Sequence, residues 1–167
     1  MKRIFYFLLI FLLTFSACAK NNKAPAVCGD FDAVIKISMQ NEGFENQDLR
    51  AELLVEDKEN IANTVINPDE ISGLEFVWTK DSFEMVFRDL HCVSEKDYLP
   101  GFSFARLIYS SLASLYSGSA RAEKSETGWI YYGECSGGEF SAFADESGYL
   151  KSINAESVGF FAEFIYE

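Results

Sequence analysis

The sequence contains few of the residues and motifs on which enzymes most often depend. Of its 167 residues only one, His91, is a histidine, and neither a Gly-x-Ser-x-Gly segment nor a phosphate-binding glycine loop occurs. His91 lies beside Cys92, but neighbours on a strand point to opposite faces and cannot act as a nucleophile pair. We therefore expect no catalytic residue, no metal site and no cofactor, and we predict that the protein is not an enzyme.

Positive charge is also scarce. The chain has 14 lysine and arginine residues against 26 aspartate and glutamate residues, and its formal net charge is −12. Two of the basic residues, Lys2 and Arg3, lie at the extreme N-terminus, so the rest of the chain is more acidic still. Nucleic acids are bound by clustered basic side chains, so we expect no nucleic-acid partner. An acidic surface of this kind is typical of plain solubility.

Cysteine is limited to four residues. Apart from Cys18, the chain contains Cys28, Cys92 and Cys135, an odd number that allows at most one internal disulfide. Their spacings match no zinc-binding motif. A disulfide between two of them and three buried reduced thiols are both compatible with the sequence.

The sequence lacks a hydrophobic run long enough to span a bilayer as a helix. Its longest apolar run covers residues 4–13, directly after Lys2 and Arg3, and is followed by Ser16, Ala17 and Cys18. A basic start, a short apolar core and small residues before a cysteine resemble the bacterial lipoprotein export signal. One position departs from that pattern, because a phenylalanine precedes Ser16 where leucine is usual.

The signal predicts where the protein is located. We expect residues 1–17 to be a signal peptide, and residues 18–27 to be a lipidated Cys18 followed by a flexible tether. Acyl chains such as palmitate on Cys18 would hold the protein at the extracytoplasmic face of the cell membrane. Residues 28–167 would then form a single domain. The alternative is an ordinary secretory signal that is cleaved nearby, with Cys18 incidental.

Apolar residues alternate with polar ones over most of the predicted domain, which indicates antiparallel strands. The predicted strands cover residues 33–39, 49–56, 61–66, 74–78, 83–87, 129–134, 139–144, 149–153 and 158–166. Residues 67–73, Asn-Pro-Asp-Glu-Ile-Ser-Gly, predict a single helical turn. The last strand is apolar on both faces, so it is either covered on both or part of an association surface.

Residues 102–117 form the one long helical pattern in the chain. Arg106 and several serines make a narrow polar stripe, and apolar side chains cover the remaining circumference. An apolar arc of this width fits a helix pressed deeply against a sheet. Gly101 before the helix and Gly118 after it mark its predicted ends.

This order of elements resembles that of small bacterial lipoproteins with a lipoprotein-carrier (LolA/LolB-like) fold. Members of that group carry segments similar to residues 67–76, Asn-Pro-Asp-Glu-Ile-Ser-Gly-Leu-Glu-Phe, and to the turns and strand of residues 137–153. The resemblance implies an α+β fold in which a strongly curved antiparallel β-sheet, an unclosed barrel, wraps around one apolar α-helix. It also implies that the concave side can hold an acyl chain.

Two functions remain open. The first is a membrane-anchored extracytoplasmic lipoprotein that binds a hydrophobic ligand, a lipid or an acyl chain, in an apolar cavity between sheet and helix. The second is a structural or interaction lipoprotein of the cell envelope with no small-molecule ligand and no particular partner indicated. The residues expected to line the ligand site, which a packed core would also use, are Phe76, Trp78, Phe83, Met85, Phe87, Phe104, Ile108, Leu112 and Leu115.

Overall fold

The structure, a computed structural model, describes residues 24–40 and 49–166. It contains one antiparallel sheet of eleven strands and one α-helix, α1 (Phe104–Ser117). The strands in chain order are β1 (Phe31–Met39), β2 (Leu49–Glu56), β3 (Asn60–Asn67), β4 (Glu75–Trp78), β5 (Phe83–Phe87), β6 (Leu90–Ser94), β7 (Arg121–Lys124), β8 (Gly128–Cys135), β9 (Gly138–Asp145), β10 (Leu150–Ala155) and β11 (Phe160–Ile165).

The sheet consists of two meanders joined at its centre. Its strand order is β6-β5-β4-β3-β2-β1-β11-β10-β9-β8-β7, so the first and last strands of the chain are neighbours. Ile35 of β1 faces Phe164 of β11 in this central pair. The two edges, β6 and β7, are consecutive in the chain and α1 connects them. The predicted α+β class, with an unclosed sheet around one helix, is confirmed.

Alternation of side chains places the core on the face of the sheet that packs on α1. Ile35, Ala51 and Leu53 are fully buried, whereas the residues between them in β1 and β2 are exposed or half-buried. Buried and accessible residues alternate because successive side chains of a pleated strand point to opposite faces of the sheet. The closing strand β11 obeys this alternation too: Phe160, Ala162 and Phe164 are buried, whereas Phe161 and Glu163 between them are exposed.

Helix α1 begins and ends as the sequence predicts, to within two residues. The Ser103 side chain accepts a hydrogen bond from the Arg106 backbone N–H, and Gly118 adopts a left-handed φ of 74° that ends the helix. The helix buries one face, which consists of Ala105, Leu107, Ile108, Ser111, Leu112 and Leu115. In the part of the chain that the structure describes, no helix is long and apolar enough to cross a membrane.

Two glycines let α1 approach the sheet closely at β8, the strand nearest to the helix. A Cβ atom at Gly133 would lie 2.9 Å from the Ser114 hydroxyl oxygen and 2.8 Å from the Phe140 ring. A Cβ atom at Gly137, in the turn after β8, would lie 2.6 Å from the Leu107 side chain. Any other residue at these positions would therefore require the Ser114, Phe140 or Leu107 side chain to shift.

The sequence missed two strands and misplaced the start of another. Strands β6 and β7 were not predicted, because both are short and lack a clear alternation of apolar and polar residues. The last strand begins at Phe160 and not at residue 158, so that prediction was wrong. Val158 belongs to a 3₁₀ turn, and Gly159 with φ of 61° separates this turn from β11. The predicted helical turn before β4 is a 3₁₀ turn, Asp69–Ile71.

The end of the expected tether is docked on the domain. The Tyr131 hydroxyl donates a hydrogen bond to the Pro25 carbonyl at 2.7 Å, and the Tyr116 hydroxyl donates one to the Cys28 carbonyl at 3.1 Å. Burial raises the pKa of both tyrosines. Val27 is buried in the core. Packing therefore begins before residue 28, and Cys18 and the predicted signal peptide lie outside the described residues.

The turn between β9 and β10 is organised by Asp145. Its carboxylate accepts hydrogen bonds from the backbone N–H groups of Ser147 and Tyr149, at 2.9 and 3.0 Å, and lies 3.2 Å from the Lys151 ammonium. Partial burial alone would raise the pKa of Asp145, but these hydrogen bonds and the lysine charge outweigh it. The net result is a pKa below the ordinary value of 3.8.

We predict that Asp145→Asn destabilises the protein at neutral pH but not in strong acid. A lowered folded-state pKa adds stability above the unfolded-state value, and this stability disappears as the pH falls through the folded-state value. The expected loss at pH 7 is below about 1 kcal/mol, because solvent screens this turn. The free energy of unfolding of both proteins, measured with denaturant at several pH values from 7 to 2, tests this. Lys151→Met should give part of the same loss of stability at pH 7. If the difference in stability between the wild type and Asp145→Asn did not change with pH, the prediction would be contradicted.

Candidate functional site

Four of the nine predicted lining residues lie at the centre of the core. Trp78, Phe83, Ile108 and Leu112 have no accessible surface. A side chain with no accessible surface borders no void large enough for water. The sequence predicted an apolar cavity between sheet and helix, but at this depth the interior is filled by these side chains.

The other five predicted residues differ in how much of their surface is accessible. Phe76 and Leu115 are buried, and Met85 and Phe104 are half-buried and pack against the core. Phe87 is also half-buried and lies at the end of β5. It shares the inner face with Phe83 and Met85, because side chains two apart on a strand point the same way. Accessible apolar surface on the inner face is therefore found near the end of β5.

Aromatic rings connect this accessible surface to the core. The Phe104 ring meets the Phe76 ring edge-on at 5.5 Å, and Phe76 stacks at 6.4 Å on Trp78. Trp78 in turn stacks on Tyr109 of α1, with ring centroids 4.8 Å apart and planes inclined by 11°. We call these four rings the aromatic column. It spans the gap between β4 and α1 with side chains alone.

Three strongly exposed apolar residues lie on β6 or in the segment before α1, and none of them is among the predicted lining residues. Leu90 on β6 is 73% exposed, and Phe102 and Tyr98 in the segment before α1 are 64% and 59% exposed. The Tyr98 ring stacks on the Phe83 ring at 6.3 Å, at the start of β5. Leu90 pairs with Phe87 across the β5–β6 hairpin and so continues the inner face at the end of β5. The exposure of Leu90 could not be read from the sequence, because β6 was not predicted.

We call this end of the interior the mouth. It consists of Met85, Phe87 and Leu90 from the sheet together with Phe102 and Phe104 from the start of α1.

The segment between β6 and α1 is held over the column by polar contacts. The Trp78 indole N–H donates a hydrogen bond to the Lys96 carbonyl at 3.3 Å. The Arg106 guanidinium also donates to this carbonyl and pairs with Asp97. The same guanidinium lies 5.5 Å from the Tyr109 ring. Burial raises the pKa of Tyr109 despite this positive charge, so the phenol is neutral at physiological pH.

The opposite side of α1 is joined by hydroxyl groups to the turn that follows β8. The Ser110 hydroxyl donates to the Ser136 hydroxyl at 3.1 Å, and Ser136 donates to the Gly101 carbonyl at 2.6 Å. A surface pocket of about 580 Å³ runs between Ser114 and Glu134 along this seam. Two more surface pockets, of about 680 and 410 Å³, lie elsewhere on the molecule. None of these three is lined by a predicted ligand-binding residue.

The remaining candidates for chemistry are ordinary surface groups. His91 pairs with Glu84 across the β5–β6 hairpin at 3.0 Å and does not face Cys92. Cys28, Cys92 and Cys135 are all free thiols. No group of three potential metal ligands occurs among residues 24–40 and 49–166.

The mouth and the docked end of the tether lie at opposite ends of α1. Phe104, the first residue of the helix, contacts the column at the mouth, whereas Tyr116 in its last turn binds the Cys28 carbonyl. Twelve residues of helix separate the two positions, a distance of about 18 Å. Residues 18–23, which would connect Cys18 to this anchor point, lie outside the described part of the chain.

The comparisons with known proteins find similar chains among solved structures. No protein-family model matches the chain, and no curated protein matches it. Among solved structures, the chain is similar to the crystal structure of a LolA superfamily protein from Nitrosomonas europaea, at 12% sequence identity and a TM-score of 0.44. The match covers 86% of this chain and 66% of the other, so the chain spans slightly less than two thirds of that protein.

Proposed function

We propose that the protein is a membrane-anchored extracytoplasmic lipoprotein, attached through acyl chains on Cys18, that binds a hydrophobic ligand at the mouth. The observation that supports this best is the aromatic column, which continues from half-buried Phe104 at the mouth to fully buried Trp78. A lipid or acyl chain that follows the column meets apolar surface along its whole length. Each methylene group buried in this way contributes about 0.8 kcal/mol.

Entry of a ligand requires rings to move, because the column is packed in the state described. At β8 the close approach at Gly133 and the serine hydrogen bonds hold α1 in place. At β4 the contact between sheet and helix consists of aromatic rings, which can turn aside while the strand pairing stays intact, at the cost of the hydrogen bond from Trp78 to the Lys96 carbonyl. The side of the interior at β4 is therefore the side on which a ligand chain can be inserted.

A second candidate function, that of an interaction lipoprotein of the cell envelope, is supported by the edge strand β6. As a terminal strand it has one backbone edge without a strand neighbour among the described residues, and Val93 on it is 59% exposed. The other edge, β7, carries Arg121, Glu123 and Lys124, and charged side chains discourage strand pairing. An interaction lipoprotein could therefore add a partner strand at β6.

We predict that Phe87→Ser reduces ligand binding without loss of fold. Phe87 is half-buried at the mouth and lies outside the packed core, so its removal takes away ligand contacts and little internal packing. Native mass spectrometry of a fragment of residues 19–167, purified without detergent, should show a fall of roughly tenfold in the bound fraction. Phe161→Ser, on the outer face, is the matched control. A wild-type protein without bound lipid would contradict the proposed function.

We predict that Cys18→Ser abolishes incorporation of labelled palmitate and reduces the share of the protein in the membrane fraction. The acyl chains are the proposed anchor, and two or more of them make membrane binding stable. Cys28→Ser should keep both the label and the membrane location. Equal labelling of the Cys18→Ser protein would show that the anchor lies elsewhere.

We predict, for the second candidate, that Val93→Lys abolishes a crosslinked complex formed in intact cells. A charge on an edge strand opposes the addition of another strand. Ala122→Lys on the opposite edge β7 should leave the complex unchanged. If neither variant alters the crosslinked products, β6 is not the contact surface.

A further inference from the structure

Asn63 is a polar side chain in a place where the fold calls for an apolar one. It lies on the inner face of β3 between Ile61 and Val65, and all three are buried. Asn63 has no accessible surface, and neither its amide nitrogen nor its amide oxygen has a hydrogen-bond partner. A buried amide without partners loses its hydrogen bonds to water and gains none in return. Such a group calls for a physical explanation.

Asn63 lies beside the aromatic column. It pairs directly with Phe76 on β4, on the same face of the sheet. Residues paired in this way have Cβ atoms about 5 Å apart. The unpaired amide therefore borders the route that the proposed ligand would follow.

A second unpaired polar group lies on the helix side of the same core. Ser111 is buried between Ile108 and Leu115 on the inner face of α1, and its hydroxyl has no partner. Serines outside this face behave differently, because the Ser110 hydroxyl donates to the Ser136 hydroxyl at 3.1 Å and the Ser117 hydroxyl donates to the Ser114 carbonyl at 2.9 Å. Ser111 lies two turns beyond Phe104, about 10 Å deeper into the interior.

These two residues define the chemistry of the group that they could bind. Asn63 and Ser111 are the polar side chains among the buried residues that the structure describes, and no buried side chain there is charged. A charged head group would have no counter-ion at this depth. An amide and a hydroxyl both donate and accept hydrogen bonds, so they match an uncharged group that does the same.

We propose that Asn63 and Ser111 form a polar subsite of the ligand site, and that the ligand is an acyl chain with an uncharged head group, such as an acylglycerol. The head group enters first and satisfies the amide and the hydroxyl, and its tail lies along the aromatic column toward the mouth. This inference rests on the proposed function and adds the class of head group to it.

The test uses the full lipidated chain in nanodiscs, with empty nanodiscs as background. Two photoreactive probes of matched chain length are compared, a monoacylglycerol and an alkane without a head group. The wild-type protein should be labelled about tenfold more strongly by the acylglycerol, the preference expected from one or two hydrogen bonds. Asn63→Leu should remove most of this preference and keep the alkane labelling.

The same variants are compared by thermal unfolding, followed through tryptophan fluorescence. Asn63→Leu should raise the unfolding midpoint by several degrees, because the unpaired amide is gone. Ser111→Ala should reduce the preference for the acylglycerol probe with little change in the unfolding midpoint. If Asn63→Leu fails to fold, the labelling of Ser111→Ala alone tests the polar subsite. Ser114→Ala, at a half-buried serine that has a partner, is the matched control and should change neither quantity.

The outcomes separate the inference from the proposed function. Equal labelling by both probes, or an unchanged preference in Asn63→Leu or Ser111→Ala, would overturn the polar subsite and leave the hydrophobic site standing. A matched fatty acid at alkaline pH that labels as strongly as the acylglycerol would overturn the uncharged head group. If neither neutral probe labels the protein above background, the proposed function itself fails.

Discussion

The close contact between α1 and β8 is the constraint on which the rest of the interior depends. Gly133 and Gly137 leave room for the helix, and the hydroxyls of Ser110 and Ser136 join the two elements by hydrogen bonds. Because the chain must pass from edge strand β6 to edge strand β7, the helix has to cross the concave face of the sheet. Once it lies against β8, the wider space on the side of β4 can be filled only by large side chains.

The aromatic column follows from this difference between the two sides of the interior, where the helix lies close to β8 and farther from β4. Trp78 and Phe76 reach across from β4 and meet Tyr109 and Phe104 on the helix. Rings of this size fill the gap at its centre but leave apolar surface accessible at the mouth. Asn63 on β3 and Ser111 on α1 are buried without hydrogen-bond partners, so the interior combines dense packing with polar groups that the domain itself does not satisfy. A binding protein in its empty state can tolerate both features, because a ligand satisfies the polar groups when it separates the packed surfaces.

Much of the fold could be predicted from periodicity. Nine strands and the helix follow from alternation and from end signals, because a half-buried strand and a half-buried helix impose different spacings on apolar residues. Strands β6 and β7 could not be found in this way, since an edge strand contacts the core with few side chains and needs no regular pattern. The candidate site was predicted only in outline. Phe76, Trp78 and Phe104 were selected correctly as inward-facing, but the same pattern describes a packed core and a binding site.

What the sequence determined by itself was therefore the arrangement of elements and the face that each one buries. Local spacing is sufficient for this, because the polarity of a side chain decides which side of its own strand or helix turns inward. Only the tertiary structure decided which inward residues remain accessible. Phe87 and Phe83 have the same local pattern, yet Phe87 lies at the mouth and Phe83 is fully buried, because the fold brings the Trp78 and Tyr98 rings against Phe83. Only the tertiary structure likewise decides that the Asn63 amide has no hydrogen-bond partner, since this depends on which neighbours the fold brings to it.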